Sequence, residues 1–233
     1  MGFVVTLDGP AGAGKSSVAK RLAALLNFHY LDTGALYRAI AYCMDQNGIE
    51  PDESERITEY LGLMRVRFDK SDVFVNGQNV TALIRSARVD GVVSAYSALK
   101  PVREALLGLQ RDQENYGNLV TDGRDMGTIV FPKADVKFFL TAAPEARAER
   151  RYKELLKKGE PVLYDEVLVQ IRERDHIDSC REFAPLKEPI GSIHVDTSYM
   201  TEDEVVNQLT DIVRGMMNLR PDIGISYKEG LGV

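Results

Sequence analysis

The chain has 233 residues, 44% of them hydrophobic and 27% charged, with 19 Gly and 9 Pro. These are ordinary globular proportions that exclude low-complexity, collagen-like and disordered classes and leave room for a sizeable core. A formal net charge of -6 argues against a nucleic-acid polymer as partner, because such binders carry a basic stripe.

Residues 3–7 read as a buried parallel strand, and so do 29–31, 119–121, 136–140 and 193–195. Each is short, apolar and followed by turn or helix signals, the pattern of an α/β fold. Between them runs helical periodicity. Val18, Leu22, Leu25 and Leu26 share one face after Ser16, and Asn27 is the stop. Leu36, Ile40 and Cys43 do the same after Asp32-Thr33-Gly34, with Gly48 as the stop. Further helices are predicted over 87–114, broken at Pro101, and over 144–158, 165–181 and 202–217. Residues 60–85 break the alternation. Asn76-Gly77 between β-branched runs is a hairpin signal, so this stretch is read as a small antiparallel insert on the main sheet. A surface hairpin without a role is the other reading. The Gly-rich stretch 220–233 is expected to be a loosely ordered tail.

The N-terminus runs straight into the first strand without a basic region or cleavage site, so no signal peptide is expected. No apolar run approaches the roughly 20 residues of a membrane helix. Cys43 and Cys180 lack metal-ligand spacing and read as free thiols of a reducing cytoplasm.

Gly9-Pro10-Ala11-Gly12-Ala13-Gly14-Lys15-Ser16 fits the phosphate-loop pattern, and it follows a strand and opens a helix. The glycines let successive backbone N–H groups converge on phosphate oxygens, where the helix N-terminus adds partial positive charge. Lys15 supplies a mobile charge for the β- and γ-phosphates, and the Ser16 hydroxyl is a ligand for Mg²⁺. The loop alone leaves three classes open: a small-molecule kinase, a GTPase switch and an ATP-driven motor or sensor. A GTPase should carry an Asn-Lys-x-Asp segment, and none is present. A kinase requires a second anion site facing the loop.

Arginines suited to such a site are present. Arg38 follows Asp32-Thr33-Gly34, and Arg124 and Asp125 follow the strand at 119–121. Ligands bind at the carboxyl ends of parallel strands, so Asp32, Thr33, Arg124 and Asp125 are expected at the edge that carries the loop. Arg174, Asp178 and Arg181 are spaced for one face of a helix. That face fits a sugar flanked by phosphate, or else a solvated face of i,i+4 salt bridges. Between positions 147 and 181 stand nine basic and eight acidic residues, so any phosphate role rests on individual arginines.

Thr6-Leu7-Asp8-Gly9-Pro10 with the loop, and Leu31-Asp32-Thr33-Gly34-Ala35-Leu36-Tyr37-Arg38, resemble bacterial cytidylate kinases. So do Pro101-Val102-Arg103-Glu104-Ala105-Leu106-Leu107, Asp122-Gly123-Arg124-Asp125-Met126-Gly127-Thr128, and Arg172-Glu173-Arg174-Asp175 through Ala184-Pro185-Leu186. The resemblance runs from about residue 3 to 217. It implies an α/β P-loop NTPase fold: a five-stranded parallel sheet flanked by helices, with the β insert in a nucleoside-monophosphate (NMP) lobe and a helical lid. The implied single kinase domain covers 1–220. Its core is about 1–34, 115–145 and 185–218, its NMP lobe about 35–114 and its lid about 146–183, followed by the tail 221–233.

The implied reaction is ATP + CMP (or dCMP) → ADP + CDP (or dCDP) with Mg²⁺, in the cytoplasm, by a monomer that binds neither membrane nor nucleic-acid polymer. The implied ATP site is Gly9 through Lys15 with Ser16, Ser17, Arg147 and Arg151, with Ser16 on Mg²⁺. The implied CMP site is Asp32, Thr33, Arg38, Ser94, Arg103, Arg124, Asp125, Arg174, Asp178 and Arg181. Ser94, Arg103 and Asp125 resemble the cytosine readers. Lys15, Arg124, Arg181 and a lid arginine, Arg150, would carry the transfer. Thr33 departs from the Ser of some members, and Ser16-Ser17 from their Gly-Thr. A kinase for another small acceptor and an ATP-binding sensor without turnover are the alternatives. His29, His176 and His194 are read as structural, the first and last within core strands, and Arg181→Ala is expected to spare the fold because its face is read as solvent-directed.

Overall fold

A computed structural model describes residues 2–52, 55–69 and 72–219; the tail expected at 220–233 lies outside them. Five parallel strands form one sheet in the order β2-β6-β1-β7-β8. They are β1 (Val4–Asp8), β2 (His29–Asp32), β6 (Leu119–Gly123), β7 (Val136–Thr141) and β8 (Ile193–Asp196). β1 lies in the middle and is buried along its whole length, as is β6. A strand covered on both faces must be a continuous apolar run, which is why these segments were legible. β2 and β8 are the edges, and there His29 and His194 are exposed rather than in the core. His194 pairs with Glu188 at 3.2 Å and Thr141 at 3.0 Å.

The helices follow the strands. α1 (Lys15–Leu26) ends at Asn27, whose left-handed φ of 55° returns its N–H to the carbonyls of Ala23 and Ala24. α2 (Thr33–Gln46) starts at Asp32, whose side chain accepts from Ala35 N. α4 (Ala87–Ala98) and α5 (Lys100–Arg111) are separated at Leu99, with Pro101 in the first turn of α5, where its missing N–H costs nothing. α6 (Pro144–Lys157) and α7 (Tyr164–Cys180) form a hairpin of helices. α8 (Glu202–Asn218) opens with a reciprocal Thr201–Glu204 cap.

Two expectations need correction. The insert is a separate three-stranded antiparallel sheet of β3 (Val66–Asp69), β4 (Asp72–Val75) and β5 (Gln78–Asn79), not an extension of the main sheet. Its β4–β5 turn is the expected Asn76-Gly77, at φ of 50° and 82°. The residues just before it are helical, because α3 (Glu55–Leu63) presents Ile57, Tyr60 and Leu61 to the core that also holds Leu106 of α5. A π turn at Met126–Val130 also had no sequence signal.

Two apolar clusters sandwich the sheet. One joins α2, α4, α5 and the insert through Leu36, Ile40, Met44, Val73, Val89 and Leu106. The other joins α1 and α8 to the strands through Phe3, Leu7, Leu22, Phe138 and Leu209. A small third cluster, Ala148, Leu155, Val167 and Ile171, holds α6 to α7. All five strand ends therefore open onto one rim. Phe138, fully buried on β7, should on change to alanine cost about 3–5 kcal/mol in urea unfolding; a loss below about 1 kcal/mol would contradict this core assignment.

Candidate active site

The rim is a cleft of about 1180 Å³, walled by the loop after β1, the ends of β2 and β6, and helices α2, α4, α6 and α7. Gly9 begins the loop at a φ of 146°, where a Cβ would lie 1.9 Å from the Leu140 carbonyl oxygen, so only glycine fits. Lys15 is buried and its Nζ donates to the Pro10 carbonyl at 2.7 Å. Burial, and then the neighbouring Arg124 charge, hold its pKa well below the ordinary lysine range. A phosphate arriving there would favour the ammonium.

Ser16 donates to Asp122 Oδ2 at 2.7 Å, and Tyr30 donates to Asp122 Oδ1 at 2.8 Å. Burial, and then the Asp32 charge, raise the Asp122 pKa. A hydroxyl beside a buried carboxylate is a hard-oxygen pair suited to Mg²⁺, which takes one or two protein oxygens and completes its shell with phosphate and water. Among the described residues no cluster of three or more His, Cys, Asp or Glu is placed to hold a metal alone, in keeping with that mode.

Opposite the loop lies a paired-charge network. Arg103 forms an ion pair with Asp125, donates to the Ser97 carbonyl at 2.9 Å and stacks over Tyr37 at 5.0 Å. Arg124 Nε donates to Asp178 Oδ2 at 2.7 Å. Arg181 Nη1 reaches Asp178 Oδ1 at 3.4 Å, and its Nε donates to the carbonyl of Ala184 at 2.7 Å. Ala184 sits at a φ of 52°, a strained backbone for alanine, which aims that carbonyl at the guanidinium. Burial works against the Asp178 carboxylate, but Arg124 first, with Arg174 and Arg181, outweighs it and lowers the pKa. Arg174 Nε has no hydrogen-bond partner. Burial, then Arg124, pull the Arg174 pKa down to about 10, against the pull of Asp178 and Asp90.

The cleft gathers most of the expected residues: Ala11 through Ser17, Asp32, Thr33, Arg38, Ser94, Arg103, Arg124, Asp125, Arg150, Arg151, Arg174, Asp178 and Arg181. Three expectations change. Arg147 is not on the cleft wall. It is buried beneath the loop, donating to the Ala11 carbonyl at 3.0 Å and bidentate to Asp175 at 2.9 and 2.7 Å. The Arg174–Asp178–Arg181 face turns inward, and Asp178 and Arg181 are buried, so it is not a solvated face. Arg181→Ala would therefore strand buried carboxylates and cost stability as well as turnover. Thr33 and Asp32 reach the cleft with their polar atoms engaged. The Thr33 hydroxyl donates to the Asp122 carbonyl at 2.6 Å, and Asp32 caps α2 and pairs with Arg85 at 3.1 Å.

Sequence reasoning singled out neither Asp8, Tyr30 and Asp90 nor Asp122 as a site residue in its own right. Asp8 ends β1 and Asp122 is the next-to-last residue of β6, at the carboxyl ends where ligands gather, and that rule would have found them. Tyr30 and Asp90 carry no local signal.

A phosphate loop facing a second, arginine-lined anion site defines a P-loop phosphotransferase. The family model described as cytidylate kinase matches residues 5–215. A cytidylate kinase of Caldanaerobacter subterraneus is 47% identical over 210 residues, 90% of this chain and 94% of that one. One of Fusobacterium nucleatum is 44% identical over 205 residues, 88% and 94% of the two chains. Among solved structures, a shikimate kinase from Bacteroides thetaiotaomicron is 12% identical with a TM-score of 0.45, covering 91% of this chain and 98% of that one, a likeness that carries no argument. The chain belongs to the cytidylate kinase family.

Asp8 ties the two halves of the rim together by accepting from the N–H groups of Met126 at 2.8 Å and Gly127 at 2.7 Å. Burial pushes this carboxyl up from 3.8 to about 7, against the pull of those amides. The folded protein thus holds a proton that the unfolded chain has released, so stability falls as pH rises from about 4 to about 7 and is level above. Wild type should lose stability relative to Asp8→Asn between about pH 5 and pH 7 in urea unfolding. A difference that does not change with pH would contradict the assignment.

Proposed function

We propose that the cleft transfers the γ-phosphoryl group of ATP to CMP and dCMP, with the site residues acting as follows. The observation that carries this reading is the buried Arg103–Asp125 pair, which lines the same cleft as Ser94 and the phosphate loop. A carboxylate accepts from the cytosine amino group and a guanidinium donates to the ring's acceptors, whereas uracil would set Asp125 against an oxygen. The Arg38, Arg124 and Arg181 guanidiniums hold the acceptor phosphate, and Arg174 with Asp178 faces the ribose. The loop amides, Lys15 and Ser17 hold the donor phosphates. Ser16, with Asp122 behind it, holds Mg²⁺, which draws charge from the β- and γ-phosphates when bound.

The acceptor is already an oxyanion, so no general base is needed. The cleft agrees with this: Asp32 is committed to its cap and to Arg85. Of the histidines, His29 and His194 lie on edge strands and His176 is exposed beside Cys180. Catalysis is then positioning plus charge stabilisation. Arg150 is the arginine of α6 nearest this role. It now donates to the Thr197 hydroxyl at 3.1 Å and to its carbonyl, and leaves them to meet the transferring group. Arg147 serves by shaping the loop from below.

The domain limits follow the same reading. Residues of about 35–114 form the acceptor lobe and about 146–183 the lid, whose small cluster of its own lets it move as a unit. In this reading the acting unit is a monomer in the cytoplasm. The free Cys43 and Cys180 suit a reducing compartment. No helix among the described residues is long and apolar enough to cross a membrane.

The test is ADP release from ATP and Mg²⁺ with CMP, dCMP, UMP, AMP or no acceptor. Turnover should be fastest with CMP and dCMP and near background without acceptor. ATP binding with transfer to none would support a sensor, and turnover with a different acceptor would reassign the second site. Asp125→Asn should erode the preference for CMP over UMP by about 1–3 kcal/mol, the worth of one base-edge contact. An unchanged ratio would remove Asp125 from base reading.

A further inference from the structure

Asp90 lies in the first turn of α4 and carries ion pairs to two other helices of the cleft wall, α2 and α6. Its Oδ1 pairs with Arg38 of α2, and its Oδ2 accepts from Arg151 Nη2 of α6 at 2.9 Å. All three side chains line the cleft and are 22% to 31% exposed. Each guanidinium also has an anchor of its own. Arg38 Nη1 reaches the Ile84 carbonyl at 3.4 Å, and Arg151 Nη1 pairs with Glu154 on its own helix at 3.0 Å. Asp90 is the group that joins one arginine to the other.

A bridge of such exposure adds little to folding, typically below about 1 kcal/mol, so a fold staple is a poor account of it. Its location suggests another. The family resemblance puts Arg38 in the acceptor site and Arg151 in the ATP site, and both line the cleft. Arg174 is near enough for Arg38 to depress its pKa and Asp90 to raise it. Arg38, Arg151 and Arg174 all line the cleft, and the Asp90 carboxylate is the counter-charge shared by the first two.

We propose that Asp90 is a positioning residue that couples the two substrates, holding the acceptor-side Arg38 and the donor-side Arg151 on one shared carboxylate across the cleft. The proposal rests on the site assignment given under Proposed function. When either substrate fixes its arginine, the shared carboxylate is fixed with it, and the other arginine is left better aimed. CMP and ATP should therefore each tighten the binding of the other, by the same factor.

Calorimetry of CMP binding, with and without Mg²⁺ and a non-hydrolysable ATP analogue, measures that factor. Asp90→Asn keeps the shape and removes the charge. It should cut the coupling about tenfold while leaving the thermal midpoint within about 2–4 °C of wild type. Asp90→Glu, which retains the charge, should keep most of the coupling. Arg151→Gln, which breaks the bridge from the other side, should lose the same coupling, and adding Asp90→Asn to it should change nothing further. An Asp90→Asn protein with wild-type coupling, or effects of Asp90→Asn and Arg151→Gln that multiply independently, would overturn the proposal. The wild type is the control. If it turns over no CMP, the functional reading fails and takes this one with it; if it turns over CMP and Asp90→Asn keeps the coupling, this one fails alone.

Discussion

Charge pairing inside the cleft is the constraint on which the rest depends. Arg103 and Asp125 are each only 4% exposed at their side chains, and Asp178 is 6% exposed while serving both Arg124 and Arg181. Ions so far from water are tolerated only when paired and hydrogen-bonded, and removing one partner leaves a stranded charge worth about 3–5 kcal/mol. The site is therefore built as a set. The turn after β6 supplies Arg124 and Asp125, α5 supplies Arg103, and α7 with its C-cap supplies Asp178 and Arg181. The fold must bring all three to one place or bear uncompensated charge.

The parallel sheet meets that demand. Its strand ends share a rim, so the loop after β1 and the turn after β6 are neighbours by topology. Asp8 makes the neighbourhood rigid, because it sits directly before Gly9 and clamps the amides of Met126 and Gly127, just past Asp125. The phosphate loop and the turn that carries Arg124 and Asp125 are thus held together by one carboxylate at the centre of the sheet. Arg147 plays a similar part from beneath the loop, tied to Asp175 of α7. Two of the charged groups nearest the chemistry are scaffolding.

What the sequence revealed followed from how local each signal was. The central strands were legible as apolar runs, and the phosphate loop as a compact pattern in its proper strand-to-helix context. The turn at Asn76-Gly77 was legible because two adjacent positive φ angles favour those residues. The independence of the insert sheet was not, since a strand pattern does not say which sheet it joins. α3 was hidden because Leu63 and Met64 run into the alternating stretch Arg65 to Phe68, while the helix is decided by burial of Ile57. Arg147, Arg150 and Arg151 lie within about one helical turn of one another. Spacing alone could not say that the first goes under the loop, the second to Thr197 and the third across to Asp90. The inward turn of the Arg174–Asp178–Arg181 face was equally hidden, because i,i+4 partners look alike on a solvated and on a buried face.

The account holds that the acceptor arginines are aimed before substrate arrives, by carboxylates rather than by phosphate. Side-chain NMR of the arginine Nε–H groups in the substrate-free protein reads this directly. Arg103, Arg124 and Arg181 should each give a sharp, slowly exchanging signal without nucleotide, and CMP should shift those signals without first creating them. Signals for these three that are averaged with solvent in the free protein, and emerge only when CMP is added, would contradict it.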